Sequence, residues 1–401
     1  MTAKSFVGST FPAVDDMGKS AQIRLTSDEE RSRRLAELRA MMTSNALEAI
    51  VISGKSDLRF RGRVLYTSDV FQFTADSFVV ITHSGAPIFI TTPVVGLGQA
   101  RRTNWAEQFH VSAQPGHVIG EILGKENILS GKVGVVGLSD AISAIHMKEM
   151  TESAPASIEF VDATDEFEHV RRVKSPEELA NLQHISAVFR KIFQAMEAEI
   201  RPGVQESDIA GAAARLAKLH GCRDVKVAMA TTPFNAVSYG SNRRIERDDA
   251  FMLWIESPGP SGYWLELRRS YCFGAPSAEI VEFWAMLDQV WATALEAMRP
   301  GVTGAEVFAS IEPLLSAYGC RLSPSNYSLH GIGADAIEGM CYPGNDKPLL
   351  EGEVVSFHPS LVFDDAKKAE RISFLGMTDN VLITPEGGLR LTYDSDAIRV
   401  L

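Results

Sequence analysis

The chain contains an internal repeat. The segment MRPGVTGAEV, Met298 to Val307, resembles the segment IRPGVQESDI, Ile200 to Ile209, which lies about a hundred residues earlier. The same number of residues separates the Arg-Pro-Gly-Val of each copy from a Gly-Cys pair that ends at Cys222 and Cys320. This shared spacing and shared ending favour a duplicated half-domain over the chance recurrence of a helix, a turn and a helix.

Each copy predicts a long helix that ends at Arg-Pro-Gly-Val and a shorter helix that follows, because proline and glycine interrupt helices. Thr303 and Glu306 are predicted to form a capping box, and Ser207 is the predicted N-cap of the first copy. Strand-like sequence follows each copy. Two such halves would pack helices against one curved sheet and leave a concave face, where functional residues meet. The predicted fold is therefore an α+β C-terminal domain with an internal pseudo-two-fold repeat.

The sequence before the repeat alternates between helix and strand patterns. Thr26 to Leu47 predicts a helix, and β-branched runs such as EAIVIS and KVGVVGL predict strands. This alternation is typical of an α/β domain, which we assign to residues 1–165, with the second domain at residues 166–401. The run from Ser175 to Glu178 predicts a helix start near the boundary, with serine as N-cap, proline at the first position and a capping-box glutamate.

Composition restricts the partners and the compartment. The chain of 401 residues exceeds the size of most single cores, and no apolar run is long enough to span a membrane. A net charge of −12 disfavours binding to nucleic acid. The first 25 residues lack a signal-peptide core and predict an extended arm, and the four cysteines lack the spacing of a zinc site or a disulfide framework. A cytoplasmic location is predicted.

Several segments, taken in order, resemble a known family. A helix opened by KSPEE, a PGV turn, GYWLELRRSYCFG, HGIG, LLEGEVVSFHPSLVF and DNVLITPEGG are similar to the pita-bread fold of the creatinase, prolidase and methionine aminopeptidase superfamily, peptidase family M24. The resemblance spans residues from about 170 to 395. The N-terminal part is similar in size and pattern to the N-terminal domain of creatinase and prolidase. The resemblance implies an internal repeat and a homodimer.

The resemblance also implies a set of metal ligands. Metal-dependent members of the family use two Asp, one His and two Glu, because carboxylates and imidazole hold divalent ions that activate water. Here the second Asp position is Glu266, the His position is His330 and the first Glu position is His358. One metal ion on Glu266, His330 and His358 is conceivable as a 2-His-1-carboxylate set.

The remaining ligand positions depart from the family pattern. The first Asp position falls at Ile255, or at Glu256 if the loop is one residue shorter, and the last Glu position falls at Thr378, beside Asp379. A dinuclear centre with bridging carboxylates is therefore not expected. We predict no cofactor, with one divalent metal ion as the alternative, because creatinase and similarly ectoine hydrolase cleave C–N bonds without a dinuclear centre.

Glu266, His330 and His358 are the predicted catalytic residues. Apolar neighbours on a predicted strand are expected to raise the pKa of Glu266, so that it acts as a base or a nucleophile. A histidine would take a proton from water and protonate the leaving nitrogen. The two imidazoles are expected to depress each other's pKa, which would keep one of them neutral.

Three further residues are predicted to bind substrate: Tyr239, Glu256 and Arg268. Strand alternation places Arg268 on the same face as Glu266, where it could pair with Glu266 or bind a substrate carboxylate through two parallel hydrogen bonds. Tyr239 stands near a position where the family often has a histidine. Glu256 is the acidic candidate for the first ligand position.

These features predict a cytoplasmic, homodimeric hydrolase that cleaves a C–N bond in a small, polar, nitrogen-containing substrate without metal, similar to creatinase or ectoine hydrolase. One alternative is a metal-dependent Xaa-Pro-type aminopeptidase or dipeptidase with an altered ligand set. Two others are a lyase on the same fold and a non-catalytic binding protein. Neither a membrane nor nucleic acid is an expected partner.

Overall fold

The structure is a computed structural model that describes residues 25–71, 76–93, 97–324, 328–341, 347–392 and 398–401. The chain divides into two compact units, Met1–Phe167 and Glu168–Leu401. All but the last residue of the arm predicted at residues 1–25 lies outside the described residues. Within the described part of the chain, no helix is both long and apolar enough to cross a membrane.

The first unit contains one mixed six-stranded sheet. Its strands are β1 (Leu47–Gly54), β2 (Ser77–Thr82), β3 (Ile88–Thr91), β4 (Gln108–Val111), β5 (Ser130–Val136) and β6 (Ser157–Asp162). The strand order is β4-β3-β2-β1-β5-β6. Central β1 pairs antiparallel with β2 and parallel with β5. The strands predicted at EAIVIS and KVGVVGL are confirmed as β1 and β5.

Helices surround this sheet: α1 (Asp28–Ser44), α2 (Arg61–Ser68), α3 (Leu97–Thr103), α4 (Pro115–Lys125), α5 (Ala144–Ser153) and α6 (Thr164–Arg172), which runs into the second unit. The predicted helix after Thr26 is confirmed as α1, where the Ser27 hydroxyl accepts a hydrogen bond from the Glu30 amide. Ile119 and Leu123 of α4 are fully buried in one apolar cluster with Val51 and Val135 of the sheet. This burial of aliphatic side chains stabilises the unit.

The helix–turn–helix pattern of both repeat copies is confirmed. In the second unit lie α7 (Pro176–Glu197), α8 (Glu206–Leu219), α9 (Ala278–Ala297), α10 (Gly304–Tyr318) and α11 (Ala366–Ile372). The capping boxes predicted at Ser175 with Glu178 and at Thr303 with Glu306 both form. The pseudo-two-fold relation between the halves remains a prediction.

The N-cap of α8 differs from the prediction. Gln205, not Ser207, occupies the cap with an extended backbone, and its capping box is completed by Asp208. Ser207 already lies in the first helical turn. The prediction was wrong because serine is the more common cap, whereas here the spacing to Asp208 favours glutamine at the cap position.

Three sheets make up the strand layer of the second unit. The strands are β7 (Lys226–Thr231), β8 (Ala250–Pro258), β9 (Trp264–Cys272), β10 (Cys320–Leu322), β11 (Leu329–Gly331), β12 (Met340–Cys341), β13 (Val354–Phe357), β14 (Leu361–Phe363), β15 (Asp379–Thr384), β16 (Gly387–Arg390) and β17 (Arg399–Val400). The sheet orders are β17-β9-β8-β7, β12-β11-β13-β15-β16 and β10-β14.

The four-stranded and five-stranded sheets meet between β9 and β15. Arg268 and Thr378 form an isolated antiparallel bridge, and the Asn380 side-chain amide donates to the Glu266 carbonyl oxygen at 2.8 Å. Helices α9 and α10 pack beneath, and the Trp291 and Phe357 rings lie 4.8 Å apart between their centroids. The junction therefore fixes the strand that carries Glu266 against the sheet that carries the two histidines.

Candidate metal centre

Glu266 is the third residue of β9, and the strand register determines which residue of β8 faces it. Glu256 pairs directly with Glu266, and Ile255 pairs with Leu267. Directly paired residues of antiparallel strands share one face, and neighbours along a strand alternate. Glu256 therefore lies on the face of Glu266, and Ile255 lies on the other face, which answers the question that the sequence left open.

The two histidines come from neighbouring strands of the five-stranded sheet. His330 on β11 pairs with Ser356 on β13, and His358 directly follows β13. Thr378, at the position of the last family carboxylate, directly precedes β15, whose Asp379 pairs with Phe357 of β13. That position therefore carries a hydroxyl in place of a carboxylate.

The structure brings Glu266, His330 and His358 together. The Oε1 atom of Glu266 lies 3.1 Å from Nε2 of His330 and 3.3 Å from Nε2 of His358. The two Nε2 atoms lie 3.1 Å apart. Three ligand-type atoms therefore form a nearly equilateral triangle. The His358 side chain is 17% exposed, and the other two side chains are almost fully buried, so His358 marks the open side.

A backbone carbonyl fixes the protonation of one imidazole. Nδ1 of His330 lies 3.0 Å from the Gly331 carbonyl oxygen. Because a carbonyl oxygen only accepts, Nδ1 carries a hydrogen, and in the neutral ring the lone pair lies on Nε2, inside the triangle. A histidine that donates its outer N–H to a carbonyl and turns its other nitrogen inward has the usual arrangement of a metal ligand.

Two side-chain donors hold the Glu266 carboxylate. The Ser356 hydroxyl donates to Oε1, and the Trp254 indole N–H donates to Oε2 at 3.0 Å. Neither residue was predicted from the sequence. The signal was strand alternation, because Ser356 precedes His358 by two positions and Trp254 precedes Glu256 by two positions.

The charge states of the triangle differ from the prediction. Burial alone would raise the pKa of Glu266, but the charge of His358 and the hydrogen bonds from both histidines outweigh it and hold the pKa well below its usual range. The predicted rise was therefore wrong. Burial likewise favours a lower pKa of His330, but the hydrogen bond and the charge of Glu266 outweigh it and raise that pKa. The predicted depression by a second imidazole is wrong for His330, because the shared carboxylate dominates.

Glu256 is the second buried carboxylate on this face. Its side chain is almost fully buried, and Nζ of Lys226 lies 3.9 Å from its Oε2 atom. Burial, together with the negative charge of Glu266, raises the pKa of Glu256 to about 7. The sequence therefore identified an acidic residue at the edge of the site, and the structure adds that its charge is only weakly compensated.

Arg268 and Tyr239 lie in different surroundings. Nη2 of Arg268 donates to the Met377 carbonyl oxygen at 3.3 Å, and its buried Nε has no hydrogen-bond partner among the described residues. Burial lowers the pKa of Arg268 to about 10, and the charge of Glu266 opposes that change. Tyr239 is 74% exposed, and among the described residues no hydrogen bond joins it to the triangle. Its predicted contact with substrate remains a prediction.

The triangle has the dimensions of a metal site. For a tetrahedral ion with ligand bonds of about 2.1 Å, neighbouring ligand atoms lie roughly 3.4 Å apart. The separations of 3.1 to 3.3 Å between the three atoms are close to that value. Carboxylate and imidazole are also suitable ligands for Zn, Fe, Mn or Co. The residues therefore fit one divalent ion.

A carboxylate–imidazole centre set between two joined sheets defines a class of metal-binding α/β protein, and the comparisons specify the family. The model of metallopeptidase family M24 matches residues 180–385, and the chain belongs to this family. Its predicted membership is confirmed. The match includes all three residues of the triangle.

Relatives are similar along almost the whole chain. The "Probable dipeptidase PepE" of Mycobacterium tuberculosis is 25% identical over 371 residues, 90% of this chain and 94% of that protein. The "Xaa-Pro dipeptidase" of Pyrococcus horikoshii is 22% identical over 369 residues, 90% of this chain and 97% of that protein. The crystal structure of dipeptidase PepE from Mycobacterium ulcerans, 23% identical, superposes with a TM-score of 0.75 over 94% of this chain and 99% of that chain, which shows the fold.

These findings correct the predicted absence of a cofactor. The family is one of metallopeptidases, similar proteins carry the names of dipeptidases, and three ligand side chains converge with atoms all within 4.8 Å of one another. The prediction was wrong because it gave most weight to the ligands that are replaced, and too little to the three that remain. The comparisons likewise favour the peptidase alternative over a metal-independent enzyme similar to creatinase.

Proposed function

We propose that the chain is a metal-dependent hydrolase of the amide C–N bond in dipeptide-like substrates, with one divalent ion on Glu266, His330 and His358. The single observation that carries this proposal is the triangle of ligand atoms, with sides of 3.1, 3.1 and 3.3 Å. The names of the similar proteins, dipeptidase and Xaa-Pro dipeptidase, support a peptide as the substrate.

The bound ion would supply Lewis-acid chemistry, which polarises a carbonyl and makes water more nucleophilic. The protein holds its ligands in place for this task. The Gly331 carbonyl fixes the tautomer of His330, and Ser356 and Trp254 fix the orientation of the Glu266 carboxylate. His358 lies on the solvent side of the triangle, where substrate would enter.

Groups beside the triangle favour a small polar substrate. Arg268 has five N–H donors and makes one hydrogen bond to the described residues, so it retains donors for a substrate carboxylate. Glu256 shares the same face and can attract a cationic group of the substrate. A dipeptide carries both kinds of group. The homodimer and the cytoplasmic location remain predictions of the sequence.

The experiment combines metal analysis with a peptidase assay. The chain is dialysed against a chelator, reloaded with Mn²⁺, Co²⁺ or Zn²⁺, and tested on dipeptides with and without a C-terminal proline. We expect cleavage to be lost on chelation and restored by one of these ions. His358→Ala should lose both bound metal and cleavage, whereas His184→Ala, at an exposed position of α7, should retain both. Full cleavage by metal-free protein would contradict the proposal.

A further inference from the structure

We infer that this site holds a single cation, and that the cross-strand pair Trp254 and Arg268 takes the place of a second one. The inference rests on the proposed function, because it concerns the same metal centre. It also departs from the two-ion arrangement that family resemblance implies. The contacts around Glu266 provide the reason.

The Glu266 carboxylate lacks a free second oxygen. Its Oε1 atom faces the two histidines, and its Oε2 atom accepts the Trp254 indole N–H at 3.0 Å. A carboxylate that bridges two ions through separate oxygens would need Oε2 as the ligand of the second ion. An indole nitrogen only donates and cannot itself bind a cation. Trp254 therefore lies on the side of Glu266 where a second ion would bind Oε2.

Arg268 places a fixed positive charge on the same side. It pairs directly with Trp254 across β8 and β9, and it lies two residues from Glu266 on the same face. A guanidinium is charged at neutral pH. A divalent ion beside it would be repelled, and more strongly in a poorly solvated site than in water.

The backbone around the guanidinium is shaped to hold it. Nη2 of Arg268 donates to the Met377 carbonyl oxygen, and a Cβ atom on Gly376 would approach that same nitrogen to 2.9 Å. Gly376 also has a φ of 142°, in the region that favours glycine. The bridge between Arg268 and Thr378 fixes the strand next to this contact. The guanidinium thus has a defined place.

The ligand inventory supports the same conclusion. Among the residues that the structure describes, Glu266, His330 and His358 are the one group of three or more ligand-type side chains close enough to share an ion. Glu256 is not part of that group. The last family carboxylate position holds Thr378, whose neutral hydroxyl is a weak substitute for a carboxylate. Of the family ligand positions outside the triangle, only that of Glu256 carries a carboxylate.

Mn²⁺ counting tests the inference without reference to activity. Equilibrium dialysis of the full chain should give one Mn²⁺ per chain, with the six-line electron paramagnetic resonance spectrum of an isolated ion. Two ions per chain with an exchange-coupled spectrum would overturn the inference and leave the proposed function intact. No binding of Mn²⁺, Co²⁺ or Zn²⁺ at any concentration tested would overturn the proposed function itself.

Variants test the role of Arg268 directly. The double variant Arg268→Thr with Thr378→Glu removes the guanidinium and adds a carboxylate, and we expect it to bind a second Mn²⁺. Lys226→Met, which removes the other cation near Glu256, is the control and should stay at one ion. If the double variant does not fold, Arg268→Thr alone should bind a second Mn²⁺ at least tenfold more tightly than the parent chain. A folded variant with unchanged Mn²⁺ binding would overturn the inference.

Discussion

Two buried charged clusters lie in the second unit, and they are built differently. The metal centre consists of Glu266, His330 and His358. The second, which we call the ion-pair cluster, consists of Arg171, Lys174, Asp335 and Glu338. In it, Nη1 of Arg171 lies 2.8 Å from Asp335, and Nζ of Lys174 lies 2.5 Å from Glu338. Each of its carboxylates is paired with a lysine or an arginine.

In the part of the chain that the structure describes, neither lysine nor arginine forms an ion pair with the Glu266 carboxylate of the metal centre. Two imidazoles share one oxygen of Glu266. A cluster of paired permanent charges stabilises the fold. A cluster whose ligands can release protons can bind a metal ion instead of those protons. The two are also connected, because the Glu338 amide donates to the Gly331 carbonyl oxygen at 2.9 Å, next to His330. The backbone of the ion-pair cluster therefore contacts β11, the strand that carries His330.

The substitution Glu266→Gln tests the metal centre, and we expect it to have the largest effect. The substitution removes the one negative charge of the triangle while it keeps the shape of the side chain. We expect peptidase kcat/KM to fall roughly 1,000-fold or more, the scale of groups that stabilise a transition state directly. Bound metal, measured by elemental analysis, should fall with it. Retained metal and activity would show that the carboxylate is not a ligand.

The same chemical change in the ion-pair cluster should affect stability instead. Glu338→Gln leaves Lys174 buried without its carboxylate, and breaking a buried ion pair typically costs about 3–5 kcal/mol. Urea unfolding should show this loss. Two results would contradict the proposed difference between the two clusters. The Glu338→Gln variant could keep the full free energy of unfolding, or the Glu266→Gln variant could lose as much of it as the Glu338→Gln variant does.

The sequence predicted most of the second unit because its signals are local. Ser175, Pro176 and Glu178 mark the start of α7, and the duplicated Arg-Pro-Gly-Val marks two helix ends, with the predicted boundaries confirmed within a few residues. Local chemistry determines caps and turns. The exception, Gln205 in place of Ser207, shows that two capping residues only two positions apart differ too little for residue type alone to decide.

The candidate site was predictable in its members but not in its electrostatics. Family spacing identified Glu266, His330 and His358, and the structure brings them together. The direction of the Glu266 pKa shift depends on distances between strands far apart in sequence. Apolar neighbours suggested a rise, whereas the histidines, at 3.1 and 3.3 Å, produce a fall. The pairing register of β8 and β9, which places Glu256 on the same face as Glu266, could not be predicted from the local sequence either.

A smaller effect is expected from Ser356→Ala. The hydroxyl of Ser356 donates to the ligand oxygen of Glu266, and loss of such an outer hydrogen bond typically weakens metal binding about 10–100-fold. Competition with a chelator would measure this change. Ser186→Ala, whose hydroxyl donates to the Leu391 carbonyl oxygen, is the matched control and should leave metal affinity unchanged. Equal metal affinity in both variants would remove Ser356 from the site.

Acid should weaken the ion-pair cluster in a defined direction. Burial would raise the pKa of Glu338, but Lys174 and Arg171 outweigh it and lower that pKa below its ordinary 4.5. Its stabilisation is therefore complete above about pH 4.5 and is lost as the pH falls through the lowered value, by at most about 1.4 kcal/mol per pH unit for one proton. Urea unfolding from pH 7 to pH 3 should show a shallower loss in Glu338→Gln. Parallel curves would contradict the assignment.

The smallest expected effect concerns Tyr239. This exposed residue sits in a loop that buried Glu206 anchors, since Glu206 accepts hydrogen bonds from the hydroxyls of Ser238, at 3.1 Å, and Ser241, at 2.5 Å. A phenol on an anchored loop can bind substrate without loss of loop entropy on binding. Tyr239→Phe removes one hydroxyl, so kcat/KM should fall by at most about tenfold, equivalent to a single hydrogen bond of about 1.4 kcal/mol, with an unchanged melting temperature. Val237→Ala, on the same loop, is the control. An unchanged KM in Tyr239→Phe would leave the metal centre, Arg268 and Glu256 as the proposed substrate contacts. It would also sharpen the contrast between the metal centre, which exchanges ligands, and the ion-pair cluster, which stabilises the fold.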